Sequence, residues 1–298
     1  MLPVEQSNHL FASHNNSPFY LINNRVKNHD FLACLDFDRK KVEIADKSPW
    51  TIFNFNVNRN DKRTIIWKIH ISATIYNYKK LFKIVTDYCI KNNIDFKFLS
   101  NLNAFKVMNG KSINRVNAGK FIVIYPREGT ILDVLEDIYK KTKKFEGPYI
   151  ITDRRYKQSK VLHYRYGEYR PIAIRTEKGM IGHFVKDKNK KIFKDIRVPY
   201  YYLPDWVEDL PVEKFQTSQS EFLTEYSVIS AIHFSASGGV YKVKNLKVEF
   251  FIAKEARAYS GIDNEGVYGT ERLKRELNFL IKLEKSGITQ KVFNCIED

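Results

Sequence analysis

The stretch TIIWKIHISAT, residues 64–74, sets a lysine and a histidine two residues apart inside an apolar run. Read as a strand, its side chains alternate between faces. Ile65, Trp67, Ile69 and Ile71 then share one side, while Lys68, His70 and Ser72 share the other. The first side is made for a core. The second carries a cation beside a titratable imidazole, which fits either a solvated face or a polar centre turned inward. The segments that follow bear on that choice.

A turn in SATIYNY leads into YNYKKLFKIVTDYCIKNN, where Leu81, Phe82, Val85, Tyr88 and Cys89 fall on one helical stripe. IDFKFLS, residues 94–100, reads as a second strand, and strand–helix–strand at this length predicts a βαβ unit that brings the two strands close. The polar stretch NGKSINRVNAG precedes the apolar strand KFIVIYP, residues 120–126, stopped by Pro126. GTILDVLEDIYKKTKK predicts a second helix, with Thr130 as cap, Ile131, Val134, Leu135 and Ile138 on its buried face, and lysines at its C-terminus. Aromatic and arginine-rich segments follow, YIITDRRY and VLHYRYGEYRPIAIR. Residues 203–225 lose periodicity and gain Pro, Ser, Thr and Gln, as a linker or surface-hugging connection does. The chain divides accordingly into residues 1–202, the connection 203–225, and residues 226–298.

With 298 residues, 43% hydrophobic and 14% aromatic, the chain fills a real core. No stretch approaches the roughly 20 apolar residues needed to span a bilayer, and the N-terminus lacks a secretory pattern. Cys34, Cys89 and Cys295 are too widely spaced for a disulfide framework or a metal knuckle, so a cytoplasmic setting is expected. Fifty basic against 34 acidic residues give a formal charge of +16, which favours an anionic partner. Nucleic acid, an acidic membrane surface and phosphorylated peptides all qualify on charge alone.

From Tyr226 the style changes. HFSASGGVYKV stands where a protein-kinase Gly-rich loop bridges two strands, FIAK ends in Lys254, and Glu276 sits on the long charged helix GTERLKRELNFLIKLEK. The segment resembles the start of a kinase N-lobe, in which that lysine holds ATP phosphates and pairs with the helix glutamate. Gly238 alone matches a loop glycine, with His233 and Ser235 at the other two positions, and no HRD or DFG segment is present. The resemblance therefore implies a vestigial nucleotide site at Gly238, Lys254 and Glu276; ATP and magnesium belong only to a complete kinase domain. The plainer reading is a small β-rich appendage with a helix.

Together, WKIHISAT, FKFL, AGKFIVIYP, DRRY, HYRYGEY, PDWV and FSASGGVYKVKN…AKEAR occur in the order found in class III lanthionine synthetases. The chain resembles that family over nearly its whole length. The resemblance implies a phosphoserine/phosphothreonine lyase domain followed by kinase and cyclase domains, the lyase being an α+β domain similar to effector phosphothreonine lyases. It implies β-elimination of phosphate from a precursor peptide of leader plus core, giving dehydroalanine or dehydrobutyrine, with no cofactor or metal and no nucleic-acid or membrane partner.

By the same resemblance, Lys97 is the base that takes the Cα proton and His70 the acid that protonates the leaving oxygen. Lys68, on the face of His70, serves the carbonyl oxygen or the phosphate. Arg165 and one of Arg154 and Arg155 are expected to hold the phosphate, with Lys120 and Tyr164 as further candidates. Arginine's planar fork suits a phosphate through paired charge-assisted hydrogen bonds. A lysine base needs its pKa brought from about 10.4 towards neutrality, which burial and neighbouring cations supply. Two rival readings remain at this stage. One is a basic single-strand nucleic-acid binder with tyrosine stacking, and the other an inactive leader-peptide-binding module.

Overall fold

The opening stretch forms strand β3 (Ile65–Ile71) in the computed structural model of the chain. The structure describes residues 31–297 apart from 48, 56–61, 176–178, 180, 214 and 216–219. Before β3 come β1 (Glu43–Lys47) and β2 (Trp50–Asn54). After it come α1 (Tyr78–Lys91), β4 (Asp95–Leu99), α2 (Leu102–Met108), β5 (Ile122–Tyr125), α3 (Ile131–Thr142), β6 (Arg154–Arg155) and β7 (Leu162–Glu168). The seven strands form one sheet in the order β1-β2-β4-β5-β3-β7-β6.

Each paired neighbour in this sheet is antiparallel. Strands β3 and β4 therefore run parallel to each other, as the strand–helix–strand reading predicts, but they do not touch. β5 lies between them and pairs with both. Its Ile122, Val123 and Ile124 are all buried, which suits a central strand covered on both faces.

Helices α1 and α3 cover one face. α1 buries Leu81, Phe82, Val85 and Cys89, and α3 buries Val134, Leu135 and Ile138. They pack on Phe53, Ile69, Phe96, Phe98, Ile122, Ile124 and Tyr164. Phe82 meets Phe98 edge-on at 4.9 Å, and Phe53 stacks on Phe96 at 4.9 Å. Each such ring contributes about 1.5–3 kcal/mol by leaving water. Thr130 stands at the N-cap of α3 but does not cap it through its side chain; its hydroxyl donates to Arg127 O at 2.9 Å instead. Helix α2, unread in the sequence, is capped by the Asn101 side chain, which accepts from Ala104 N at 2.9 Å.

A second sheet, β8 (Ile172–Arg175), β9 (Ile181–Lys186) and β10 (Ile192–Phe193), has the order β10-β9-β8. Thr64 ties it to the start of β3, since Lys186 N donates to Thr64 Oγ1 at 2.6 Å. Within the connection 203–225, Leu210 and Val212 pack against the main core. It ends in a short helix, α4 (Glu221–Glu225).

Residues 226–297 form a third sheet and a helix: β11 (Tyr226–Ser235), β12 (Gly238–Asn245), β13 (Phe250–Ala256) and α5 (Gly269–Leu283). The strands are antiparallel in the order β11-β12-β13. This piece is hydrogen-bonded to the rest of the chain. Ala236 N donates to Lys111 O at 3.2 Å, Ile262 N to Asn109 O at 3.1 Å and Ile75 N to Tyr268 Oη at 2.7 Å. Among the described residues no helix is long and apolar enough to cross a membrane.

Candidate active site

The face of the main sheet opposite α1 and α3 carries the polar residues, and strand register puts them together. Lys68 pairs with Arg165 and His70 with His163 across β3 and β7. On the other side of β3, His70 pairs with Val123 of β5, and Val123 pairs in turn with Lys97 of β4. Paired residues point to the same face, so Lys68, His70, Lys97 and Arg165 share one surface. His70 and Lys97 are two strand spacings apart, about 10 Å between backbones, with the small Val123 between them.

His70 is buried, and its Nδ1 is hydrogen-bonded to Oδ2 of Asp153, which is also buried. The turn at 150–153, closed by Asp153 N donating to Ile150 O at 3.0 Å, places that carboxylate. Thr152 Oγ1 donates to Asp153 Oδ1 at 2.6 Å. Burial opposes ionisation of Asp153, but His70, Lys120 and Arg165 outweigh it and hold the carboxyl below the usual range. Burial pushes the His70 imidazole down, with Asp153 working against that shift. The pair is thus an ionised carboxylate accepting Nδ1–H from a neutral ring, which leaves Nε2 as the proton-exchanging atom.

Lys97 lies over the indole of Trp50, its Nζ 4.7 Å from the ring centroid. Burial first, then the Arg197 charge, lower its pKa to about 8, with Glu168 opposing. Lys120 donates to Val116 O at 2.7 Å. Burial lowers it to about 7, with Asp153 opposing and Arg165, Arg197 and Lys97 adding to the effect. Lys68 donates to Glu168 O at 2.5 Å, and burial followed by Arg165, Arg197 and Lys97 brings it well below the ordinary lysine value. Arg165 is buried and folds back along its own strand, Nε donating to Tyr166 O at 3.3 Å. That path needs Gly167, where a Cβ would stand 2.9 Å from Arg165 Nη2.

The structure thus brings Lys68, His70, Lys97, Lys120 and Arg165 to one centre. The side chains of the other three expected residues are engaged elsewhere, although Arg155 shares the face of His70 by register through His163. Arg154 is ion-paired with Asp209 and lies 4.3 Å over the Tyr201 ring. Arg155 is sandwiched by Tyr149 and Phe215 at 4.9 and 4.7 Å. Tyr164 is buried on the helix-covered face against Trp67, so its hydroxyl is on the wrong side of the sheet. Sequence reasoning missed Asp153, Asp195 and Arg197. Asp153 stands in TDRRY, where the arginines drew attention, and a buried histidine calls for such a partner. Nothing in KDIRVPYYY marks Asp195 or Arg197. Among the described residues no group of three or more His, Cys, Asp or Glu is placed to hold a metal ion.

In the C-terminal piece, Lys254 of β13 is ion-paired with Glu276 of α5. A cleft lined by His233, Ser235, Gly238, Lys254 and Glu276 opens beside that pair. Gly238 permits the hairpin's close approach to β13, since a Cβ there would stand 1.9 Å from Glu255 O.

The family described as "RamC, N-terminal domain" matches residues 35–221. A curated protein, the "Probable SapB synthase" of Streptomyces coelicolor, is 28% identical over 234 residues, covering 76% of this chain and 25% of that protein. The chain therefore spans about a quarter of the length of that relative. Among solved structures, the type III effector/phosphothreonine lyase OspF from Shigella flexneri matches at a TM-score of 0.32 and 16% identity, covering 54% of this chain and 87% of its own. That likeness is too low to bear on the chemistry of this site.

Proposed function

The chain belongs to the family of RamC N-terminal domains, and from that premise we propose that it eliminates phosphate from phosphoserine or phosphothreonine in a ribosomal precursor peptide during lanthipeptide biosynthesis. One observation carries the reading: Lys97 and the Asp153-backed His70 flank Val123 on a sheet face crowded with cations. In the reaction, neutral Lys97 takes the Cα proton, and the C–H electron pair becomes the Cα=Cβ double bond. The Cβ–O bond breaks, its electrons leave on the phosphate oxygen, and protonated His70 gives that oxygen a proton from Nε2. The products are a dehydroamino acid and phosphate.

Each residue has a physical reason for its role. The low pKa of Lys97 leaves a useful neutral fraction near pH 8. His70 must gain a proton before it can act. The approach of a phosphate dianion favours that, and Asp153 stabilises the imidazolium that results. Lys68 and Arg165, neighbours in register, face the phosphate and the substrate carbonyl, where charge grows as the Cα proton leaves. Lys120 adds a cation beside Asp153. Residues 1–202 hold this centre, 203–225 connect, and 226–298 are the start of a kinase-like lobe. The Lys254–Glu276 pair beside a glycine hairpin supports that last assignment.

The test is mass spectrometry of a leader-bearing phosphoserine peptide incubated with the full chain, with Lys97→Ala and His70→Ala in parallel. Loss of about 98 Da by the wild type and not by the variants supports elimination, the reaction class this geometry fits. Loss of about 80 Da means hydrolysis and overturns the roles of Lys97 and His70. An unchanged peptide that still binds points to a module that only recognises the precursor.

A further inference from the structure

The small sheet β8–β10 hands the chain back to the main sheet at residues 194–198, and two charged side chains there enter the cation face. Asp195 is buried, its side chain 8% exposed. One oxygen, Oδ2, faces three donors: Arg165 Nη2 at 3.7 Å, Arg197 Nε at 3.4 Å and Glu168 N at 3.3 Å. Arg197 is held from its other end by Glu168 Oε1 at 3.0 Å, yet its side chain remains 35% exposed. Arg165, by contrast, is 7% exposed and already spends Nε on its own strand.

A single buried carboxylate shared by two guanidiniums sets their separation, as outer hydrogen bonds do for ligands in a metal site. The cations at this face are Lys68, Lys97, Lys120, Arg165 and Arg197, and the carboxylates are Asp153, Glu168 and Asp195. The deeply placed Arg165 is limited in how far it reaches, whereas Arg197 stands at the opening with room to move.

We propose that Arg197 is a substrate-contacting residue, the second arginine of the phosphate pocket, and that Asp195 is the positioning residue that holds Arg197 and Arg165 side by side to receive the phosphate. The proposal rests on the lyase reading for its substrate but not for its binding geometry. Arginine pairs bind phosphate bidentately, so a lysine in place of Arg197 keeps the charge and loses the fork. Asp195→Asn keeps the shape and removes the charge that holds both guanidiniums.

The experiment measures calorimetric binding of a phosphoserine peptide and its unphosphorylated twin to the full chain carrying Lys97→Ala, with steady-state elimination run in the Lys97 background. Arg197→Ala is expected to weaken phosphopeptide binding and raise KM by about tenfold or more, as loss of a charge-assisted pair does. Arg197→Lys should recover part of the loss, and the unphosphorylated peptide should bind all variants alike. Asp195→Asn should raise KM more than it lowers kcat, and Asp195→Glu should restore part of the binding, with melting temperature recorded for each. Unchanged phosphopeptide affinity and KM in folded Arg197→Ala overturn the proposal while wild-type elimination stands. If the wild type binds the phosphopeptide without eliminating, and Arg197→Ala weakens that binding, the lyase reading falls and the pocket survives. Equal losses for both peptides would make Arg197 a general peptide contact and would also overturn the proposal.

Discussion

The main sheet and the C-terminal sheet use the same residue types to opposite ends. In the main sheet both faces of β3 are taken up, one by α1 and α3, the other by the cation centre. Phe96 and Phe98 are wholly enclosed. In the C-terminal sheet, Val228, Ile232, Phe250 and Ile252 stand exposed, as do Phe279 and Leu283 of α5. The lysines differ in the same way. Lys97 is half-buried beside Arg197, while Lys254 is paired with Glu276 near the surface. A carboxylate partner suits a lysine used as a charge; burial among cations suits one used as a base. The surroundings, not the residue, divide the two roles.

That contrast is sharpest in the chemistry. Lys97→Ala should lower elimination by about 10²–10⁴-fold, the usual span for a general base. Phe250→Ser, on the exposed sheet, should leave it within about twofold, as surface changes do. Product formation followed by mass spectrometry distinguishes them, and equal rates for both would erase the division of labour.

The next contrast is in stability. Phe98→Ala should cost about 3–5 kcal/mol, since it empties a closed core. Phe250→Ala should stay within about 0.5 kcal/mol. Urea unfolding of the full chain measures both, and similar costs would mean that Phe250 is covered in solution.

The pH dependence follows from burial of Lys97. The reactive state pairs neutral Lys97, whose pKa is about 8, with protonated His70, so kcat should trace a bell against pH and fall at alkaline pH, where His70 no longer holds its proton. An optimum below pH 6 would rule Lys97 out as base. The stability effect has a definite sign. The unfolded chain holds the Lys97 proton up to about 10.4 and the folded chain loses it near 8, so in that window this group's contribution to stability rises with pH. At pH 7 the buried charge is a burden, and Lys97→Met should raise the melting temperature while abolishing turnover.

The smallest effect concerns the seam between the two parts. Tyr268→Phe removes the hydroxyl that accepts Ile75 N–H and should cost about 1 kcal/mol. Deleting residues 226–298 should lower the melting temperature of the remainder, because Tyr268, Ala236 and Ile262 all bond across that seam. No change in either case would mean that the two parts only touch.

Much of this architecture was legible in the sequence. The alternation in TIIWKIHISAT placed Lys68 and His70 on one face, and the apolar stripe at Leu81, Phe82, Val85 and Cys89 defined α1. Arg165 came to the site because it pairs with Lys68. Arg154 and Arg155 did not, since one is claimed by Asp209 and the other by two aromatic rings. Tyr164 fell on the apolar face by the same alternation that favoured its neighbour Arg165. Applied one residue more strictly, the period of two excludes it.

By itself the sequence determined what depends on near neighbours: which segments are strands or helices, and which side chains share a face. Those follow from backbone geometry with periods of 2 and 3.6 residues. Only the tertiary structure decided that β5 separates β3 from β4, that Asp153 backs His70, and that Asp195 and Arg197 enter the cation face from the segment that follows β10. These are contacts across tens of residues, selected by which surfaces exclude water together. Local spacing carries no record of them.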